Sequence, residues 1–329
     1  MTKKLLLLTA FALFVSTLSA QLSRLDVEVR GDWQYENLEG KTLPAASGFE
    51  GKFLNFRMDG SLAEHLSYSI RYRVHKVQAN PFAATDWATL TYSTDKWDFS
   101  AGKQVVAIGG YEYDRAPIDI YFASEYWHQI ACYQFGVSAT YKFVESRNNS
   151  KLLAQICQSP YDFANQNLYA YNLMWSSSTS DFSSLYSVNM IEYEPNKFVG
   201  TIALGNLFKM GAVDVEFDLM SRTDLKNISP IDNFSAMFDI KWVVNPKLNL
   251  FSHASYDVNK TNVVFDPTVL PNTDIWRIGG GMEYFPLGTK SVRLHAATCY
   301  TFGGAVPTAA LQDGHLMFQM GLTWRINLL

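Results

Sequence analysis

The most regular stretch of the chain is residues 26–35, in which Val27, Val29, Gly31, Trp33 and Tyr35 alternate without a break with Asp26, Glu28, Arg30, Asp32 and Gln34. Strand side chains point to opposite faces in turn, so this segment carries one apolar and one ionic face. A helix, with its period of 3.6 residues, would mix the two sets. The alternation recurs along the chain. It is clear in 52–59, 66–75, 88–93, 97–102, 134–143, 169–176, 213–219, 234–242, 276–284, 292–296 and 316–326, moderate in 248–258, and weakest in 152–158, 184–191 and 198–208. These segments amount to about 16 strands of about 8 to 12 residues, the length that crosses a bilayer when a strand is tilted.

The connections alternate as well. Short ones at 94–96, 177–181, 209–211, 244–247 and 286–291 alternate with long ones at 36–51, 76–86, 221–233, 259–272 and 303–314. Aromatic residues gather near both kinds. Tyr92, Trp97, Tyr141, Phe143, Trp175, Phe208, Trp242, Tyr284 and Trp324 lie near short turns, and Trp33, Tyr35, Trp87, Tyr169, Phe234 and Trp276 near long loops. Lipid satisfies no open sheet edge, so spanning strands must close on themselves. Two aromatic belts on two unlike rims predict an all-β transmembrane antiparallel up-and-down barrel, with both termini on one side, rather than a soluble sandwich.

Composition adds support. Aromatics reach 15% while mean hydropathy is only −0.06, the average that alternating strands produce. Residues 1–20 read as a cleaved signal peptide: Lys3 and Lys4 precede an apolar run broken only by Thr9, and small residues precede a cut ahead of Gln21. No cysteine follows the cut, which argues against a lipid anchor. Residues 21–329 are then the barrel, expected in the bacterial outer membrane among lipid and lipopolysaccharide. Loss of the two lysines leaves 25 basic against 31 acidic residues, a net −6 that argues against a nucleic-acid partner.

The longest connection, 105–132, is too apolar for a floppy surface loop, and Gly109-Gly110 permits a sharp bend. It is the third long loop, and it is expected to fold into the lumen and narrow the pore, turning Glu112, Asp114, Arg115 and Asp119 toward charged residues of the wall. The alternative is packing at the outer rim or over a subunit interface. Just before it, Trp97-Asp98-Phe99-Ser100-Ala101-Gly102-Lys103-Gln104 resembles the W-x-F-x-x-G-(K/Q)-Q strand of the phosphate-selective porin O and P family. Residues 109–114, with Pro117-Ile118-Asp119, resemble the loop that follows in Bacteroidota porins of that type. The resemblance implies a 16-stranded outer-membrane barrel, commonly a homotrimer, passing small anionic or polar solutes. Lys103 enters the candidate set through this motif.

Arg30, Arg57, Arg71 and Arg73 fall on three consecutive strands and are expected to form a basic wall patch. With Lys103, Glu112, Asp114, Arg115 and Asp119 they are the candidate pore-lining and selectivity residues. Pairing of the arginines with Asp32, Asp59 or loop acids is the competing reading. The same faces also carry Glu28, Asp214, Glu216, Asp218, Asp239, Asp257 and Glu283, a mixture that suits a general porin better than a phosphate binder. No G-x-S-x-G motif occurs, and none of the six histidines sits in a nucleophile motif, so no enzyme is expected. Ligand spacings suggest no metal, and no cofactor is implied. Cys132, Cys157 and Cys299 read as reduced thiols, with a Cys132–Cys157 bridge as the alternative. The expected function is passive diffusion of small hydrophilic solutes, anionic ones included. The alternative is a closed barrel serving as a structural or partner-binding outer-membrane protein.

Overall fold

A computed structural model describes residues 21–74, 81–144, 148–162, 166–225 and 229–329. The expected signal peptide, His75 and part of the 76–86 connection lie outside the described residues. The strands are β1 (Gln21–Leu38), β2 (Lys41–Thr42), β3 (Gly48–Ala63), β4 (Leu66–Arg73), β5 (Thr85–Ser93), β6 (Trp97–Val105), β7 (Tyr133–Lys142), β8 (Lys151–Gln158) and β9 (Tyr169–Ser178), then β10 (Phe182–Glu194), β11 (Lys197–Met210), β12 (Val213–Asp224), β13 (Asn233–Asn245), β14 (Leu248–Asn259), β15 (Thr273–Tyr284), β16 (Val292–Gly304) and β17 (His315–Asn327). β2 is a two-residue extension of the first loop, paired with Asn37 and Leu38. The other sixteen strands form one antiparallel sheet in chain order, as the alternation predicts.

The sheet closes where β1 pairs with β17, in unbroken register from Asp26 opposite Asn327 to Leu38 opposite His315. Closure satisfies every strand edge, which a sheet in lipid requires. β4 to β9 are 8 to 10 residues long and β10 to β17 are 12 to 14, so one arc of the wall is shorter.

The outer face is apolar. Near the short-turn rim, aromatic rings form a chain in which Trp97 meets Tyr141 at 4.9 Å, Tyr141 meets Phe143 at 4.9 Å and Phe143 meets Trp175 at 5.4 Å. Trp87 departs from its expected place in the opposite belt. It pairs across the sheet with Arg71 and donates its indole N–H to Ser69 Oγ at 2.7 Å, so it faces inward. The alternation of connection lengths also fails once. β10 and β11 are joined on the long-loop rim by a tight turn of two residues, which Asn196 makes possible with φ of 62°.

The interior is filled by the segment between β6 and β7, residues 106–132. Val106, Ile108, Tyr113, Tyr126 and Ile130 pack against inward-facing Cys157, Ala170, Ile191, Val199, Ala203 and Met220. This explains why the alternation is weakest in β8, β10 and β11: their lumen faces are partly apolar because they receive a loop rather than water. Phe122 makes a second, smaller cluster with Ala297, Cys299 and Met317. The three cysteines are free thiols, two of them buried in these contacts.

Candidate functional site: the lumen and its inward loop

The loop enters the barrel at Val106, whose N–H donates to the carbonyl of Cys132 at 2.9 Å and so closes the neck. The first wall contacts are with β8 and β10. Ala107 N–H donates to Gln155 Oε1 at 2.7 Å, Asn189 Nδ2 donates to the Ala107 carbonyl at 2.8 Å, and Gly109 N–H donates to Ser187 Oγ at 2.8 Å. Gly109 lies so close that a Cβ there would sit 2.6 Å from the Leu185 carbonyl oxygen, and Gly110 holds φ at 105°. Both glycines are demanded by the turn onto the wall.

The charged residues then reach across the lumen. Glu112 N–H donates to Asp218 Oδ2 at 2.8 Å, while the Glu112 carboxylate accepts from Ser124 N–H at 3.0 Å and from its hydroxyl at 2.5 Å, 3.8 Å from His253 Nε2. Burial pushes the Glu112 carboxyl above its usual range, and His253 and Ser124 offset this only in part. Arg115 pairs with Glu216 and lies 3.7 Å from Asp239. Asp119 pairs with Arg293 and Arg325, each at 2.7 Å. Burial would raise Asp119, but the two guanidiniums outweigh it and hold the carboxyl below its usual range. Asp114 is exposed and makes no ion pair among the described residues.

The return limb is held equally firmly. Tyr121 stacks on Phe251 at 5.0 Å and donates its hydroxyl to Glu283 at 2.9 Å. Ser124 caps the helical turn Glu125–Gln129 by accepting from Trp127 N–H at 3.2 Å. Glu125 N–H donates to Asp257, and its carboxylate accepts from the N–H groups of Ala310 and Leu311 at 2.9 and 2.7 Å, tying in the last long loop. The 260–272 loop joins through Phe265 and Val269, and through Asp266, which pairs with fully buried Arg222 at 2.6 Å. Three loops therefore interlock inside the long-loop mouth.

The four wall arginines are divided. Arg30 belongs to the loop anchor: it pairs with Asp32 at 2.7 Å and donates to the carbonyls of Ile118 and Ile120 at 3.1 and 2.6 Å. The other three form a group on β3 and β4. Arg57 and Arg71 stand directly opposite each other in register, with the Trp87 ring beneath both at 5.6 and 5.2 Å. Each is matched by acid: Arg57 by Asp59 at 2.9 Å, Arg71 by Glu28 at 2.9 Å, and Arg73 by Asp86 at 2.6 Å. Lys103 is not in the lumen. It pairs in register with Ala88 and Phe135 on the outer face and donates to the Phe82 carbonyl at 2.7 Å. Its parity with Trp97, Phe99 and Ala101 is legible in the sequence and decides its face.

Below the loop lies a cavity of about 260 Å³, lined by Arg115, Lys241, Lys290, Arg293 and Arg325 and by Asp119, Asp214, Glu216, Asp239 and Glu283. Five cations and five carboxylates balance formally. Two larger hollows, of about 830 and 840 Å³, are apolar and lie on the outer face. Asp86, Asp218, His253, Arg293 and Arg325 are contributors that no motif marks, and strand parity is their only signal; Glu125, in the helical turn of the loop, has none.

The family model for phosphate-selective porin O and P matches residues 24–212, more than half of the chain. Among solved structures, the fold is similar to OmpT of Vibrio cholerae, with a TM-score of 0.65 and 12% identity over 94% of this chain and 98% of that one. A trimer form of the same protein matches with a TM-score of 0.63 and 13% identity over 93% and 99%. An anion-selective porin from Comamonas acidovorans matches with a TM-score of 0.66 and 9% identity over 94% and 100%. No curated protein sequence matches the chain.

Proposed function

The chain belongs to the phosphate-selective porin O and P family and is an outer-membrane porin for passive solute diffusion, and we propose that its channel passes small hydrophilic solutes with weak ion selectivity and no phosphate site. The observation that carries this is the charge balance. Arg30, Arg57, Arg71 and Arg73 each face a carboxylate. A phosphate site needs an excess of cations, and here each guanidinium is already matched by a carboxylate. Loop 106–132 sets the narrowest passage, and the residues beside it that meet solute are Arg115, Asp119, Lys241, Arg293 and Arg325. The assembly is a homotrimer, a reading supported by the trimer form of OmpT. No step of this function calls for a catalytic group.

Planar-bilayer recording tests the reading. Discrete conductance steps with a reversal potential near zero in a salt gradient are expected, and phosphate should not block them. A strongly anion-selective current blocked by phosphate would overturn it. The second reading, a closed barrel with a structural or partner-binding role, is favoured by the interlock around Glu125. Folded protein that never conducts would establish that reading instead.

A further inference from the structure

We propose that the cavity beneath the loop favours zwitterionic solutes over neutral ones of the same size; this rests on the open-channel reading above. The cavity is neutral in total but not uniform. Asp214 and Glu216 on β12 and Asp239 on β13 line one side. Lys290, in the turn before β16, Arg293 on β16 and Arg325 on β17 line the other.

The loop does not erase this polarity. Arg115 sits against the acidic side and Asp119 against the basic side. Three carboxylates against one guanidinium leave a formal −2, and three cations against Asp119 and against Glu28, which pairs with Arg325 at 3.1 Å, leave +1. Glu283 lies between Lys241 at 3.5 Å and Arg293 at 3.1 Å, and with Lys241 it adds no net formal charge. The two sides are about four strands apart, on the order of 15–20 Å along the wall. A field therefore crosses a cavity bounded by low-dielectric protein, where it is screened less than in bulk.

A monovalent ion is attracted to one side of such a space and repelled by the other. A neutral amide gains little from either. A molecule with an ammonium at one end and a carboxylate at the other gains from both by aligning across the field. The space of about 260 Å³ suits a free amino acid or short peptide. Stacked Tyr121 and Phe251 provide an apolar floor between the two sides for a side chain.

The test is swelling of proteoliposomes in isosmotic alanine and in lactamide, which share one formula but differ in charge separation, with protein-free vesicles subtracted. Alanine is expected to enter roughly threefold faster or more, as for a focused field acting on a small solute. The double variant Asp214→Asn with Lys290→Gln removes one charge from each side. Asp214 is half-buried and Lys290 exposed, so the barrel keeps its core and the ratio should fall toward one. Equal entry of alanine and lactamide into swelling vesicles overturns the zwitterion preference and leaves the porin reading intact. An alanine preference unchanged in the double variant overturns the assignment to this cavity. Vesicles that swell in no solute, arabinose included, overturn the open-channel reading and this inference with it.

Discussion

At the residue scale, the cost of a change depends on what the side chain holds. Arg30 is buried and joins β1 to two carbonyls of the loop as well as to Asp32. Arg30→Ala is expected to destabilise the folded barrel by on the order of 3 kcal/mol, because it leaves the buried Asp32 carboxylate with His295 alone and removes both bonds to the loop carbonyls. Arg57 is a third exposed, so Arg57→Ala should cost no more than about 1 kcal/mol. Urea-dependent folding into vesicles measures both, and equal losses would contradict the division between anchor and lining. Gly109→Ala sets a methyl group 2.6 Å from the Leu185 carbonyl oxygen. The loop must then lift from β10 at about 1–3 kcal/mol, and single-channel conductance should change while the barrel still folds.

At the element scale, the inward loop is a polypeptide folded against a wall, and its docking should respond to pH. Burial raises the Glu112 carboxyl, which faces His253, Asp218 and Asp239 on the wall and Arg115 on its own loop. A raised carboxyl favours the docked state at low pH, and that contribution is lost as pH climbs above the ordinary 4.5 of glutamate through the folded value. Asp119 is held low, so its contribution is lost only as pH falls below the ordinary 3.8. The two windows do not overlap. Amide exchange over 106–132, corrected for intrinsic rates, should therefore quicken as pH rises from 5 toward neutrality or beyond, and Glu112→Gln should flatten the dependence. Exchange that is flat in the parent protein would contradict the account. The same loop explains the strands that alternate least well: Ile191, Val199 and Ala203 face inward because apolar loop side chains lie on them, and periodicity alone cannot distinguish a lumen lined by protein from a failed pattern.

At the scale of the whole molecule, closure is the condition for everything else. The β1–β17 seam holds thirteen register pairs. Removing residues 315–329 exposes two edges at once and takes away Gln319, which donates to the Tyr121 carbonyl of the loop at 2.7 Å. The truncated chain should give no heat-modifiable band on unheated gels and no protease-protected barrel. A protected, conducting species from that chain would contradict the role assigned to the seam. Charge balance also acts at this scale: ion selectivity reflects the sum over the lumen, so removing a single arginine should move the reversal potential only a little, toward cation preference.

The sequence by itself determined the barrel, its roughly sixteen spanning strands, the belt near the short turns and the apolar character of the longest connection. These follow from period-two alternation and turn chemistry, which are local properties. It also contained the face of Lys103 and of Trp87, through parity with Ala101 and Thr89, even though a motif and a belt position pointed elsewhere. Only the tertiary structure decided which charges meet. Arg115 finds Glu216 and Asp239, and Asp119 finds Arg293 and Arg325, across separations of a hundred residues or more. Such pairs depend on where a loop crosses a closed sheet, and Coulomb interactions act through space rather than along the chain. The alternation can therefore name the side chains that face the lumen, while their partners, and with them the net field a solute meets, are fixed only when the barrel has closed around the loop.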